Sequence, residues 1–423
     1  MSQTTKPAKR GRRPVARHGA LKSPHPFSQF LKIVGVIVAV VLVSGAGVAA
    51  YSVYSLTSTV ASNAVDLEGQ AAVPPDIGAI EGGVNLFVAG TDECLPEFKQ
   101  YFGDRCTGAD SSGELNDVNL LVHISDNPRR VTVISFPRDL MVPIPSCTNE
   151  DGDETSAMSK QQINSAFSYG GLSCVVKTVS DLSGISIPFA AKVNFGGVIN
   201  ITDAIGGVDV CIGNGGIRDV DTGIDWPAGI RTVTGIDALQ FLRTRHGLVN
   251  GSDLARISNQ QQYMSKLAKK LVSENVLSNP GTLLKLATTA VNNITPSTSL
   301  TNPVTLVQIA LAVKSVPFDQ IVFVQYPVLT DPYDANRVVP DYNSADALWA
   351  ALAANQPITL TSDPDAGGGV IVENPTPAAT PDPAATATDG ANPAPTSTSV
   401  ALPSNIPGVD ASQDTCSAGN VSG

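Results

Sequence analysis

The chain reads as a layered α/β sandwich held outside a membrane on an N-terminal transmembrane helix. Three observations predict this. An uncharged apolar run lies near the N-terminus, short apolar strands interleaved with amphipathic helices follow it, and the last sixty or so residues turn into Pro, Ala, Thr and Gly with almost no large apolar side chain.

The anchor comes first. Residues 1–32 hold eight Lys and Arg and no acid, and residues 33–51 are 19 uncharged residues, enough as a helix for a hydrocarbon core of roughly 30 Å. The basic flank precedes the run, so the positive-inside rule keeps 1–32 as a cytoplasmic arm. The expectation is a single-pass cell-membrane protein with its main domain extracytoplasmic. A cleaved signal peptide would have a shorter flank and a shorter apolar run. Taking those eight from the 27 Lys and Arg leaves 19 against 38 Asp and Glu. An acidic body of that kind repels nucleic acid. The arm suits anionic membrane lipid, and no nucleic-acid partner is expected.

All six cysteines (Cys94, Cys106, Cys147, Cys174, Cys211, Cys416) follow the apolar run, on the oxidising side of this topology. An even count suggests three bridges, although sequence alone does not choose among the pairings. Cys94 and Cys106 bracket one short loop and Cys147 and Cys174 flank another, which leaves Cys211 with Cys416. Zinc is disfavoured because there is no CxxC spacing and no His near these cysteines.

Residues 52–82, rich in Ser, Ala and Thr, read as a stalk. The body spans 83–360. Its strands are expected at 84–89, 119–125, 131–136, 189–195 and 321–326, and its helices at 160–169, 174–182, 198–205, 235–242, 253–274, 280–291, 303–315 and 344–354. Residues 361–423 cannot bury enough apolar surface and read as a disordered tail, which Cys416 could staple back to the body.

Chemistry is narrowed by absence. Of four histidines, His18 and His25 lie in the basic arm, His123 sits in a strand-like run and His246 follows Arg245 in a loop. There is no G-x-S-x-G elbow, no H-E-x-x-H and no Walker loop, which disfavours serine hydrolases, zinc proteases and nucleoside triphosphatases. Arginine stands out in so acidic a domain. Arg138 follows a strand, Arg243 and Arg245 alternate at a helix end, and Arg256 shares a helix face with Gln260 at i, i+4. Planar guanidinium forks suit phosphate oxygens, although each arginine alone also suits a surface salt bridge. Asp92 follows the first core strand and Asp117 precedes the second; together with phosphate oxygens they suit a hard ion such as Mg²⁺, and singly each suits a turn or cap.

Five blocks in order then make a resemblance: Phe136-Pro137-Arg138-Asp139, residues 163–171 (INSAFSYGG), Gly206-Gly207-Val208-Asp209-Val210, Arg243-Thr244-Arg245, and Asp253-Leu254-Ala255-Arg256 with Gln260-Gln261. Over roughly residues 84–275 the chain resembles LytR-CpsA-Psr proteins, and its cysteine placement resembles actinobacterial members. The resemblance implies a three-layer α-β-α sandwich around a mixed central sheet, with an apolar tunnel for a prenyl chain between sheet and helices. It implies a Mg²⁺-dependent phosphotransferase, with Mn²⁺ as a substitute ion. A glycopolymer on polyprenyl pyrophosphate would pass as a sugar phosphate to a peptidoglycan hydroxyl, with pyrophosphate hydrolysis as a side activity and arabinogalactan as the expected polymer. Asp92 and Asp117 would hold the ion, and Arg138, Arg243, Arg245, Arg256 and Gln260 the pyrophosphate. Arg138, Asp139, Arg243 and Arg245 would be catalytic, with Asp139 either orienting Arg138 or accepting the attacking proton.

Departures from the family pattern accompany this match. Cys94 and Leu115 stand where arginines are usual, Val118 where Thr is usual, and Asn259 where an Arg commonly precedes the Gln. They favour a weakly active or specialised paralogue. Capture of a lipid-linked polymer or peptidoglycan without transfer is therefore the alternative. A regulator would have to read DNA with the basic arm, which has no helix-turn-helix pattern.

Overall fold

The computed structural model describes residues 58, 61–70, 83–96, 98–102, 106, 114–149, 151–213, 215–273, 280–363, 365–373 and 399–420. The expected arm and transmembrane run lie outside these residues, as do most of the stalk and residues 374–398 of the expected tail. Among the described residues, no helix is long and apolar enough to cross a membrane.

Eleven strands form the two larger sheets: β1 (Val84–Thr91), β2 (Asn116–Ile124), β3 (Val131–Phe136), β4 (Phe189–Asn194), β5 (Val208–Ile212), β6 (Gly229–Val233), β7 (Ile294–Pro296), β8 (Ile321–Gln325), β9 (Val370–Val372), β10 (Gly408–Asp410) and β11 (Thr415–Ser417). Around them lie α1 (Ala166–Ser183), α2 (Phe195–Ala204), α3 (Gly235–Arg243), α4 (Asp253–Ser273), α5 (Pro280–Asn293), α6 (Pro303–Lys314) and α7 (Tyr342–Ala353). The central sheet runs β7-β4-β1-β2-β3-β8-β10. It is mixed: β1 pairs with β4 and β3 with β8 in parallel, while β1–β2, β2–β3, β4–β7 and β8–β10 are antiparallel.

Strand alternation puts apolar side chains on both faces. Phe87, Ala89, Leu121, Ile134, Phe136, Val322 and Val324 pack with Val175, Val176 and Val179 of α1 and Leu348 and Leu352 of α7. On the opposite face Val84, Ile124, Val133, Phe189 and Phe323 pack with Met264 of α4 and Ile309, Ala312 and Val313 of α6. Helices thus cover the sheet on both sides. The second sheet, β6-β5-β11-β9, closes a separate core around Val208, Val210, Ile212, Trp226 and Phe241.

Three expectations need correction. Residues 160–169 are not one helix: Met158–Gln162 is a strand paired with Met141–Ile144, and α1 begins at Ala166, because the backbone of Gln161 and Gln162 is taken by Val142 and Met141. Within α1, Gly171 (φ 60°) breaks the helix, and a Cβ on Gly170 would lie 2.9 Å from Cβ of both Cys147 and Cys174. The Gly-Gly pair is what lets that bridge sit against the helix. The stalk is not wholly free of the body: Val65 N–H donates to Pro296 O (2.9 Å), and Glu68 N–H to Ser173 Oγ (2.9 Å). The tail is the largest correction. Residues 370–372, 408–410 and 415–417 are strands, β10 extends the central sheet beside β8, and Ile406, Val409 and Ala411 are buried. A few apolar residues there suffice because the backbone pairs with strands already in place.

Candidate functional site

Thr91, Asn116, Phe136 and Asn194 lie at one end of the central sheet, since Thr91 pairs with both Asn116 and Asn194 and Phe136 with Asn119. Beside that end a cavity of about 390 Å³ opens between the sheet and helices α2, α3 and α4. Its sheet wall is one pleat face, Val88, Gly90, Val118, Leu120, Val133, Val193 and Phe323. Its helix walls include Val198, Leu239, Leu242, Met264 and Leu267, and Arg138, Arg243, Arg245, Arg256, Gln260 and Asp117 stand along its rim. On α4 the lining runs from Arg256 to Leu267, a rise of roughly 16 Å at 1.5 Å per residue. The arginines gather on one part of the lining, and most of what remains is apolar.

Six expected site residues are thus brought together, while Asp92 and Asp139 do not line the cavity. Arg138 Nη1 donates to Asp117 Oδ1 at 2.9 Å, and its Nε lies 3.6 Å from Asp253 Oδ1. Burial opposes the Arg138 charge, but Asp117 and Asp253 outweigh it and hold the pKa above its ordinary value. Arg256, buried at 7% exposure, places Nη2 3.1 Å from the Asp117 carbonyl and 2.6 Å from Asp253 Oδ1. The Nε atoms of both Arg138 and Arg256 are buried with no acceptor. Arg243 lies over the rings of Phe102 (5.0 Å) and Phe195 (5.4 Å), which stack on each other. Burial lowers its pKa, with Arg256 and Arg138 adding repulsion and Asp117 and Asp92 opposing. Crowded guanidiniums with unused donors favour an anion between them.

Asp139 is held by side chains: Oδ1 accepts from Gln162 Nε2 (2.9 Å) and from Arg337 Nη1, and Oδ2 is 3.8 Å from Arg138 Nε. Both Asp139 oxygens thus face cationic or amide donors, with the hydrogen bonds made by Oδ1. Gln260 donates its Nε2–H to Leu242 O (2.9 Å), and Asn259 donates Nδ2–H to Phe241 O (2.9 Å). Two adjacent amides of α4 thereby satisfy two terminal carbonyls of α3, the helix that delivers Arg243. Asn259 is wholly buried and also accepts from Ser417 Oγ (2.6 Å), which leaves no room for the arginine common at that position.

Asp219 escaped the sequence reading and organises the Arg245 loop. Its Oδ2 accepts from Thr244 Oγ1 (2.7 Å), Arg245 N (2.9 Å) and Gly247 N (3.2 Å), and its Oδ1 from the amides of Asp221 and Thr222. Burial would raise its pKa, but these donors lower it. Phe102 also went unnoticed, because its stacking on Arg243 joins a loop to a helix end about 140 residues later; the only cue was the Cys94–Cys106 pair closing that loop. All three expected bridges are present, Cys94–Cys106, Cys147–Cys174 and Cys211–Cys416.

For a metal, Asp92 and Asp117 offer hard oxygen donors at the adjoining ends of β1 and β2, and both act on Arg243. Asp92 Oδ1 is oriented by Leu115 N–H (2.8 Å). This donor set suits Mg²⁺ completed by phosphate and water. A second cluster, Asp219, Asp221 and His246, has ligand atoms within 4.8 Å of one another, but Asp219 is already taken up by its five donors.

A mixed α/β domain with arginines gathered on a largely apolar cavity has the chemistry to hold an amphiphile with an anionic head. The chain belongs to the LytR_cpsA_psr family, whose model matches residues 50–354. It is 27% identical over 369 residues to the cell wall biosynthesis protein LcpA of Corynebacterium glutamicum, covering 81% of this chain and 69% of that one. It is 31% identical over 180 residues to the polyisoprenyl-teichoic acid–peptidoglycan teichoic acid transferase TagU of Bacillus mycoides, covering 42% of this chain and 55% of that one. In fold it is similar to a LytR-Csp2A-Psr enzyme from Actinomyces oris (TM-score 0.50, 23% identity, 69% of this chain and 95% of that one). Bacillus subtilis TagV is also similar (TM-score 0.50, 21% identity, 64% and 96%).

Proposed function

We propose that this protein is a Mg²⁺-dependent phosphotransferase that moves a glycopolymer, as its sugar phosphate, from polyprenyl pyrophosphate to a peptidoglycan hydroxyl. The observation that carries the reading is the gathering of Arg138, Arg243, Arg245 and Arg256 on one largely apolar cavity, where the Nε–H groups of Arg138 and Arg256 make no hydrogen bond within the protein. A pyrophosphate supplies the acceptors and a prenyl chain the apolar body. Arg138, Arg243, Arg245 and Arg256 grip the pyrophosphate oxygens and stabilise charge as it develops on the departing prenyl phosphate. Asp92 and Asp117 would hold Mg²⁺, or Mn²⁺ in its place, which offsets pyrophosphate charge when bound. Gln260 and Asn259 keep α3 in place, and Asp139 keeps Arg138 aimed. With water in place of the hydroxyl, the same site would hydrolyse the pyrophosphate. Residues 33–51 anchor the protein in the cell membrane in this reading, with the domain outside, where its three bridges persist. In this reading the polymer is of the arabinogalactan type.

The test is prenyl phosphate release by the full chain in detergent, with and without Mg²⁺, beside Arg138→Ala and Asp92→Ala. Release should require Mg²⁺ and fall about 10- to 100-fold on loss of Arg138, the weight of a hydrogen bond to a charged group. Cys94, tied into a disulfide, and Leu115 favour the second reading, capture without transfer. Tight binding of a prenyl pyrophosphate with no release would establish it.

A further inference from the structure

His246 lines the cavity beside Arg243, Arg245 and Asp117, yet donor binding as described above does not use it. Its tautomer follows from its partners. Arg245 Nη2 lies 2.9 Å from His246 Nε2, and a guanidinium only donates, so Nε2 carries the lone pair and Nδ1 the proton. The Nδ1–H is donated to Asp221 Oδ2 in a short hydrogen bond. Asp221 is fixed in turn, because its backbone N–H donates to Asp219 Oδ1 at 3.0 Å. Asp219 also receives the amide of Gly247 at 3.2 Å. The turn bearing Asp221, which joins the paired strands Ile217–Asp219 and Ile224–Trp226, and the loop bearing His246 therefore hang from one buried carboxylate. Arg245 on its own loop and Asp219 and Asp221 on the turn are the charged groups facing the imidazole.

We propose that His246, oriented by Asp221, is the base that takes the proton of the acceptor hydroxyl. The assignment rests on the transferase reading above. A pyrophosphate is a stronger acceptor for Arg245 than an imidazole is. As the guanidinium turns to phosphate, the Nε2 lone pair opens to the half-exposed mouth, where an acceptor sugar can approach. The hydroxyl oxygen forms a bond to the sugar-side phosphorus, and the bridging P–O bond breaks with its electron pair leaving on prenyl phosphate. The hydroxyl proton passes to Nε2, and the imidazolium is balanced by Asp221 until it loses that proton to water. Asp139 cannot serve, because it does not line the cavity and its oxygens are engaged by Gln162, Arg337 and Arg138.

The experiment uses the full chain in detergent. Geranylgeranyl pyrophosphate is the binding probe, a prenyl-pyrophosphoryl disaccharide the donor and soluble peptidoglycan oligosaccharide the acceptor. His246→Gln should bind the probe as wild type does, transfer about 10²-fold more slowly, and lose the rise of transfer rate with pH. His246→Ala should regain transfer on addition of imidazole, and Asp221→Asn should show a smaller loss than His246→Gln. Retained probe binding shows that each variant is folded. Transfer by His246→Gln at the wild-type rate and with the wild-type pH profile overturns the assignment, as does an alanine variant that imidazole does not rescue. If wild type fails to bind geranylgeranyl pyrophosphate, the donor site itself is wrong and the assignment falls with it, a result distinct from intact binding with unaltered transfer.

Discussion

His123 sits inside β2 with Nδ1 2.8 Å from Asn85 Oδ1, and burial pushes its pKa down to about 4. The ordinary value is about 6.5, so between the two the unfolded chain binds more protons than the folded one. Stability is complete above that ordinary value and declines as pH falls toward the folded value. Denaturant titrations at neutral pH and near pH 4 should show wild type losing about 3 kcal/mol more than His123→Gln over that interval; equal losses would show that His123 is not buried neutral. Asp219 adds to acid sensitivity at lower pH, because its depressed pKa gives stability that is present above the ordinary carboxylate range and is lost as pH falls through the folded value. Asp219→Ala strips the acceptor from the Arg245 and Gly247 amides. It should weaken geranylgeranyl pyrophosphate binding at least tenfold, and unchanged binding in a calorimeter would remove it as a positioning residue. At this scale the arginines were legible, since their number and placement are odd in an acidic domain. Asp219 and Phe102 were not, because each acts through backbone amides or rings brought together only by folding.

The C-terminal strands show where reading by element fails. Residues 374–398 dominate the composition after 361 and suggest that the whole segment is unstructured. Yet β9 and β11 join the sheet that carries β5, Cys416 bridges to Cys211, and Ser417 Oγ bonds Asn259 on α4. Strands of three residues have too little pattern to be seen in sequence; they are defined by the edges they meet. The central strands were legible because each is a short, mostly apolar run bounded by Gly, Pro or polar residues, on a sheet buried from both sides. The C-terminal strands press on α4 where Arg256 and Gln260 arise, so their loss should reach the site. The 205-residue separation closed by Cys211–Cys416 makes the bridge worth about 2–5 kcal/mol. Cys211→Ser with Cys416→Ser should lower the melting temperature by several degrees and weaken prenyl pyrophosphate binding. A variant with wild-type melting and binding would show that the segment is merely attached.

Across the whole molecule, the mixed sheet separates two tasks. One face, buried against α1 and α7, is packed throughout with Phe87, Leu121, Ile134 and their partners. The other is left open toward α2, α3 and α4 over the cavity, and the cationic rim stands at one end of it. A core built only for stability would have been filled, since each unfilled volume forfeits contact energy. An apolar cavity of about 390 Å³ lies within the usual range for a bound organic ligand. If the rim holds the pyrophosphate and the cavity the prenyl chain, the two contributions should separate by mutation. Val88 lines the cavity from β1, paired with Leu120 of β2. Val88→Phe should fill part of that space and weaken geranylgeranyl pyrophosphate at least tenfold, while inorganic pyrophosphate binds as before. Arg138→Ala should weaken both ligands together. Overpacking costs about 1–3 kcal/mol when a space is already full, so a Val88→Phe domain that melts near the wild-type temperature would itself argue that the space is real. Equal loss of both ligands in Val88→Phe would mean that the apolar wall supports the rim rather than a chain, and the cavity would then have to be assigned to something other than lipid.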